Sequence, residues 1–179
     1  PGSITPIFAA TMGTVDEVGQ QLMRSAIRAG AGSETRIHGV GDGAAWITNQ
    51  MDLRFGTQAT YLVDFFHLCE YVSAAGEAVA GKDKEAWMEE KKGWLKDNRW
   101  RDVLKSMQPH IEDEKVLDKD APVRVCYRYI ANHANFLDYK GALAAGLPIG
   151  SGEVESGHRY VIQIRLKIAG AWWKVENAA

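Results

Sequence analysis

The sequence has few cysteines, no long apolar run and almost no net charge, and each shortage excludes a class of protein. Two cysteines, Cys69 and Cys126, stand far apart with no Cys-x-x-Cys spacing. This argues against a disulfide scaffold or a zinc finger and fits a reducing cytoplasm. No apolar run approaches the roughly 20 residues that cross a bilayer, and no signal peptide is visible. With 21 Lys and Arg against 23 Asp and Glu, the net charge is −2, so bulk charge does not mark a nucleic-acid binder.

The chain does contain enough apolar residues to build a core. Hydrophobic residues make up 46% of its 179 residues and charged residues 25%, which excludes a disordered or collagen-like chain. The length suits one domain, or one domain with a helical insertion.

The first 65 residues alternate between strand-like and helix-like patterns. The predicted strands are Ile4–Thr11, Thr35–Val40 and Thr60–Val63, and Pro6 would confine the first of these to a sheet edge. The predicted helices are a four-turn helix that begins at a capping box of Thr14 and Glu17, and a second from Ala44 to about Phe55. This β-α-β-α-β order predicts an α/β sheet with helices on its faces.

The rest of the chain is predicted to be mostly helical. The predicted helices are His67–Ala80, one or two over Lys82–Lys105 with possible breaks at Gly93 and at Asp97–Asn98, Pro122 to about Tyr139, and Ser151 to about Ile168. The polar stretch Gln108–Ala121 is predicted to be a loop or a poorly packed helix start, and Leu143–Gly150 a turn.

Two aspartates follow predicted strands, where the ligand groups of open α/β sheets gather. Asp42 lies in a Gly-Asp-Gly turn, and Asp64 is followed three residues later by His67. Each residue also has a purely structural interpretation. Asp42 could be a turn residue and helix cap, and Asp64 a helix cap beside a buried, hydrogen-bonded histidine.

Two glutamates open the last predicted helix. Glu153 fits a first-turn acid that is favoured by the helix dipole, and Glu155 fits that interpretation less well. Arg159, Arg165 and Lys167 follow on later turns of the same helix. The other histidines, including His133, have no metal-ligand spacing and are interpreted as structural or surface residues.

Taken together, several segments resemble bacterial insertion-sequence transposases of the DDE type, and most of all the ISKra-type group related to Mutator-like transposases. The segments are GDGAAWI at 41–47, YLVDFFH at 61–67, GLPIGSGEVES at 146–156, RLK at 165–167 and GAW at 170–172. The resemblance covers nearly the whole chain, and its motifs occur in the family's order. The string beginning Leu-Pro-Ile-Gly-Ser-Gly is the most specific of them.

The resemblance implies a ribonuclease-H-like core whose carboxylates hold two divalent metal ions, Mg²⁺ or Mn²⁺, for attack on a DNA phosphodiester. Asp42 and Glu155 match the second and third acidic residues of the family and would be the catalytic metal ligands. Asp64 and His67 match a supporting motif near the site. The basic residues expected to contact DNA phosphates are Arg159, Arg165 and Lys167. The implied partners are double-stranded DNA and further copies of the chain, with the transposase at the bacterial nucleoid and no role for a membrane.

One departure from the family changes the expected activity. The family's first catalytic Asp lies in a Val-Asp-Gly-like stretch of the first strand, and no such stretch occurs in this sequence. The core is therefore expected to lack its first two strands, which would lie upstream of Pro1. The complete Mg²⁺ or Mn²⁺ site is expected only in the intact protein, and this chain is expected not to cut DNA by itself. The expected parts are a partial ribonuclease-H-like core over 1–66, a helical insertion over 67–142 and a C-terminal catalytic helix region over 143–179.

Two other interpretations stay open. The chain could be a catalytically inactive, transposase-derived domain that binds DNA or protein. A small-molecule hydrolase that uses the acidic pair is disfavoured because the sequence has no nucleophile motif such as Gly-x-Ser-x-Gly. The carboxylates of Asp42 and Glu155 are expected about 4–8 Å apart if they share metal ions.

Overall fold

A computed structural model describes residues 6–152 together with Arg159 and Gln163. Over this range the chain is mixed α/β and mostly helical, with one small parallel sheet. The elements are α1 (Val15–Arg28), β1 (Ile37–Gly41), α2 (Ala45–Phe55), β2 (Ala59–Val63), α3 (Phe65–Ala80), α4 (Lys84–Lys96), α5 (Trp100–Met107), α6 (Pro122–Asn132) and α7 (Tyr139–Ala144). None of the helices in this described part is long and apolar enough to cross a membrane.

The chain divides into two compact units. The first comprises Pro1–Gly39, Ala44–Thr60 and Ser151–Ala179, and the second comprises Val40–Gly43 and Tyr61–Gly150. The first unit therefore contains α1 and α2, and the second contains every helix from α3 to α7.

Helix α1 begins at the predicted capping box. The backbone N–H of Glu17 donates to Thr14 Oγ1 at 3.4 Å, and the N–H of Thr14 donates to Glu17 Oε2 at 2.5 Å. These two bonds satisfy backbone donors that the first helical turn leaves without partners. Within the same unit, Arg54 of α2 forms an ion pair with Asp16 of α1 and so ties the two helices together.

The predicted edge strand over Ile4–Thr11 is wrong for residues 6–11, which are irregular and exposed; Ile4 and Thr5 lie outside the described residues. Strands β1 and β2 pair with each other, and no third strand joins them in the part that the structure describes. A strand needs a neighbour to satisfy its backbone groups, and the apolar pattern of Ile7 and Phe8 does not supply one.

The two remaining strands are the ones that the Thr35–Val40 and Thr60–Val63 patterns predicted, each shifted by one or two residues. They are parallel and are joined through α2, as a β-α-β unit requires. Leu62 and Val63 at the end of β2 are buried in the core of the second unit.

Helix α3 is the centre of that core. Its apolar residues Phe65, Leu68, Val72 and Ala75 recur at helical spacing and are at most 3% exposed. Helices α4 and α6 pack against it, and α6 contributes Val123, Cys126 and Ile130 to the same cluster. Burial raises the pKa of the Cys126 thiol to about 12, so this cysteine behaves as a small apolar residue.

The segment Lys82–Lys105 forms two helices, and the break lies at the predicted Asp97–Asn98; the break predicted at Gly93 is wrong, because Gly93 lies inside α4. Asn98 has φ +61°, a left-handed conformation that Asn tolerates better than most residues. Its side chain donates to Asp138 Oδ1 at 2.6 Å and accepts from the N–H of Lys140 at 3.0 Å. The break between α4 and α5 is therefore fixed to the start of α7.

The predicted helix from Pro122 to Tyr139 begins where expected but ends early, at Asn132. A 3-10 turn over Ala134–Phe136 follows, and α7 begins after Asp138, whose side chain caps it by accepting from the N–H of Gly141 at 2.9 Å. The change of direction places Leu137 and Tyr139 in the core, and that burial outweighs continuation of the helix.

The predicted loop 108–121 contains two 3-10 turns, and Glu112 caps α6 through the N–H groups of Val123 and Arg124.

Tyr139 is fully buried, and its hydroxyl has no hydrogen-bond partner among the described residues. Because an unpaired buried hydroxyl costs about 1–3 kcal/mol, Tyr139→Phe is expected to raise the free energy of unfolding by about 1 kcal/mol. Urea unfolding followed by tryptophan fluorescence measures this change. Tyr127→Phe, on the half-buried part of α6, is the control and is expected to be neutral. A lower urea midpoint for Tyr139→Phe would show that the hydroxyl is satisfied after all.

Candidate functional site

The candidate site lies in the second unit, at the carboxyl end of the parallel sheet. Asp42 directly follows β1 and Asp64 directly follows β2. The N–H of Asp64 donates to the carbonyl of Gly41 at 2.6 Å, which brings the ends of the two strands together. Parallel strands place their carboxyl ends at one edge, so both aspartates lie where α/β sheets bind ligands.

The Asp42–Gly43 turn is held by three side chains. The Tyr129 hydroxyl donates to the carbonyl oxygen of Asp42 at 2.7 Å, and the N–H of Gly43 donates to the Tyr61 hydroxyl at 2.9 Å. These two bonds hold the carbonyl oxygen and the N–H of a single peptide group.

Asp42 itself is exposed. It does not cap α2, whose cap residue is Ala44 with no side-chain cap bond, so the helix-cap interpretation of Asp42 is wrong.

His133 provides the third contact to this turn. Its Nε2 lies 3.0 Å from the carbonyl oxygen of Gly43, and its Nδ1 lies 2.7 Å from the carbonyl oxygen of Tyr129. A neutral imidazole donates to one of these oxygens at a time, and a protonated one donates to both. The ring lies so close to Gly43 that an added Cβ would be 2.7 Å from Nε2. Glycine is therefore the residue that this close approach requires.

Asp64 is 6% exposed and caps α3. Its Oδ1 accepts from the N–H of Phe66 at 2.7 Å and from the N–H of His67 at 3.2 Å. The helix-cap interpretation of Asp64 is thus confirmed. The same two bonds fix the carboxylate at the end of β2.

The His67 side chain packs away from the Asp64 cap, along α3. Its Nδ1 lies 3.4 Å from Glu70 Oε2, and its ring makes edge contacts with Tyr71 and Tyr129. Tyr71 and Tyr129 stack with their ring centres 4.2 Å apart. His67 therefore belongs to the aromatic cluster that supports Tyr129, but it is half-buried, so the buried histidine of the structural interpretation is wrong. It also lines an open cleft of about 320 Å³ between α3 and the start of α6.

The most specific motif of the sequence begins beside Asp64. The N–H of Phe65 donates to the carbonyl of Ile149 at 2.8 Å. A Cβ on Gly150 would lie 2.4 Å from the Phe66 ring and 3.6 Å from Asp64 Oδ1. The segment that carries Gly150 can approach α3 this closely because glycine has no side chain.

The negative charges of both aspartates affect the pKa values of the same two tyrosines, Tyr61 and Tyr129. Burial raises the pKa of Tyr61, the N–H of Gly43 opposes that rise, and the nearby negative charges of Asp42 and Asp64 add to it. Burial also raises the pKa of Tyr129, and both aspartates are again among the causes. Both hydroxyls therefore stay protonated at neutral pH, and Tyr129 keeps the proton that it donates to Asp42.

The described residues offer the type of ligand that a divalent metal ion prefers, but too few such ligands to hold one. The exposed Asp42 carboxylate offers the hard oxygen atoms that Mg²⁺ prefers and leaves room for water and phosphate. Within residues 6–152, Arg159 and Gln163, however, no group of three His, Cys, Asp or Glu side chains could hold a metal ion. The described residues therefore provide part of a metal site at most.

Of the remaining predicted site residues, the structure describes only Arg159. Glu155, Arg165 and Lys167 lie outside the described residues, as does Glu153, so the separation expected between Asp42 and Glu155 stays a prediction. Arg159 is described and exposed, in the first unit. The structure thus brings Asp42, Asp64 and the segment ending at Gly150 to one edge of the sheet.

The residues that hold the Asp42 turn carry no functional motif in the sequence. Tyr129 belongs to none of the motif segments, and His133 has no metal-ligand spacing. A usable signal was their spacing of four residues on one predicted helix, which places both on one face. Nothing in that spacing indicates which loop they contact, 87 and 90 residues away in sequence.

Comparison of the chain with family models, with curated proteins and with solved structures found no match.

Proposed function

We propose that this chain is part of the catalytic domain of a DDE-type DNA transposase with a ribonuclease-H-like core. The observation that carries the proposal is the meeting of three motif segments at one sheet edge: Asp42, Asp64 and Ile149–Gly150. These are the segments through which the sequence resembles insertion-sequence transposases. Their meeting is what a shared active site requires of motifs so far apart in sequence.

In this proposal Asp42 and Glu155 would hold divalent metal ions, and bound ions would supply activation of the attacking hydroxyl and charge stabilisation at the scissile phosphate. Asp42 is exposed at the strand end, where a DNA phosphate could reach it. Asp64 would support the site indirectly, because its carboxylate caps α3 and so fixes the start of that helix. Arg159, Arg165 and Lys167 would contact the phosphates of duplex DNA. The transposase would act at the bacterial nucleoid as a homo-oligomer.

A manganese titration tests the metal assignment. Mn²⁺ binding to the chain, followed by the loss of the free-ion electron spin resonance signal, is expected to fall at least tenfold in affinity in Asp42→Asn and in Glu155→Gln. Asp52→Asn is the matched control, because Asp52 is an exposed carboxylate on α2. Equal Mn²⁺ affinity in all three variants and the unmodified chain would contradict the assignment.

Duplex DNA provides the second measurement. Fluorescence anisotropy with a labelled duplex at several salt concentrations would report phosphate contacts through the slope of affinity against salt. DNA binding without any Asp42-dependent Mn²⁺ site would overturn the catalytic assignment and favour the DNA-binding alternative.

A further inference from the structure

We propose that Tyr61, Tyr129 and His133 are positioning residues that set the orientation of the Asp42 carboxylate. The proposal rests on the proposed function for the role of that carboxylate. The three contacts themselves are independent of it. We call this arrangement the Asp42 clamp.

The clamp grips one peptide group from opposite sides. The carbonyl of Asp42 accepts from Tyr129, and the N–H of the same peptide, which belongs to Gly43, donates to Tyr61. A peptide group is planar, so fixing both of its ends fixes the rotation of the whole plane. The backbone of Asp42, from which its side chain extends, is then restricted on its carboxyl side.

The next peptide group is held as well. The carbonyl of Gly43 faces His133 Nε2 at 3.0 Å, and Gly43 has φ +87°. Consecutive peptide planes on the carboxyl side of Asp42 are therefore both tied to side chains of the second unit. Because both planes are held, the Cα–Cβ bond of Asp42 points in a set direction, and the carboxylate samples fewer directions than it would on a loose turn.

The clamp is supported by packing from α3 and α6. Tyr129 is stacked on Tyr71 of α3, and its ring also meets His67 and His133. Tyr61 packs edge-on against Phe136 at 5.5 Å. Tyr129 and Tyr61 are thus each held by a ring on another element, and His133 by the Tyr129 ring, so these groups are placed before any ligand arrives. Helices α3 and α6 would then influence the site through the bond between Tyr129 and Asp42, which precedes Tyr129 by 87 residues.

Hydrogen exchange at the Gly43 amide tests the clamp without any ligand. Tyr61→Phe removes the acceptor of that amide, so faster exchange is expected there for a local reason alone. Tyr129→Phe leaves the acceptor in place and removes the bond to the Asp42 carbonyl. His133→Phe also leaves the acceptor in place and removes the ring nitrogens that contact the carbonyls of Gly43 and Tyr129. If the clamp acts as a unit, both variants are expected to speed Gly43 exchange about tenfold, as loss of one hydrogen bond of about 1.4 kcal/mol would.

Tyr127→Phe is the matched control, because Tyr127 lies on the same helix and is not part of the clamp. Gly43 exchange in Tyr129→Phe and His133→Phe that equals exchange in Tyr127→Phe would overturn the clamp. In the Mn²⁺ titration, Tyr129→Phe is expected to weaken binding three- to tenfold. Faster Gly43 exchange with unchanged Mn²⁺ affinity would overturn the positioning role.

The two proposals fail in different ways. If the unmodified chain shows no Asp42-dependent Mn²⁺ site, the proposed function fails, and the amide exchange still decides whether the clamp exists. If the Mn²⁺ site is present and depends on Asp42 but not on Tyr129 or His133, the function stands and the positioning role fails.

Discussion

Gly43→Ala is expected to lower the free energy of unfolding by about 3–5 kcal/mol, because two separate costs meet at this residue. Gly43 has φ +87°, in the left-handed region where a side chain is strained. An added Cβ would also lie 2.7 Å from His133 Nε2 and 3.1 Å from the Tyr129 hydroxyl. His133 cannot simply move aside, since both of its ring nitrogens face carbonyl oxygens.

Gly81→Ala separates the two costs. Gly81 lies in the same unit with φ +53°, and a Cβ there meets nothing within 4 Å, so only the backbone strain of about 1–2 kcal/mol is expected. Urea unfolding followed by tryptophan fluorescence measures both variants. The double variant Gly43→Ala with His133→Ala is expected to lose less than the sum of the single variants, because the crowding contact is gone. Equal losses for Gly43→Ala and Gly81→Ala would show that the approach of His133 carries no cost.

Asp64→Ala is expected to lower the free energy of unfolding by about 2 kcal/mol. The variant leaves the N–H groups of Phe66 and His67 without the oxygen that accepts from both. The cost is at the upper end for a helix cap because the site is buried and α3 is the helix on which the core of the second unit is built.

Asp64→Asn is the matched control for this prediction. Asparagine keeps an oxygen in the same place and is as good a cap as aspartate, so a loss of no more than about 0.5 kcal/mol is expected. Urea unfolding curves compare the two variants directly. Equal losses for alanine and asparagine would mean that the negative charge, rather than the accepting oxygen, holds the start of α3.

The local elements were predictable because their causes lie within a few residues. The capping box of Thr14 and Glu17 starts α1 where the pattern indicates, and Asp64 caps α3. The strand patterns that end before Asp42 and Asp64 correctly placed both carboxylates at strand ends. Caps, turns and hydrophobic periodicity act through near neighbours in the chain, so the sequence carries their signal directly.

The predictions that failed depended on partners far away in the chain. Residues 6–11 have the composition of a strand and no strand beside them in the described part. Helix α6 stops at Asn132 because Leu137 and Tyr139 gain more by entering the core than by continuing the helix. Neither outcome can be read from a local pattern, since both are decided by what the segment packs against.

Carboxylates that follow predicted strands and the string at 146–156 are visible in one dimension, so the residues that could carry chemistry can be identified from the sequence alone. What holds these residues depends on the tertiary structure. Tyr129 of α6 and His133, the residue directly after that helix, contact the two peptides that follow Asp42, and the carbonyl of Ile149 accepts from the N–H of Phe65. These bonds join residues 84 to 90 positions apart, and only the packing of α3, α6 and the sheet brings such residues within hydrogen-bond distance.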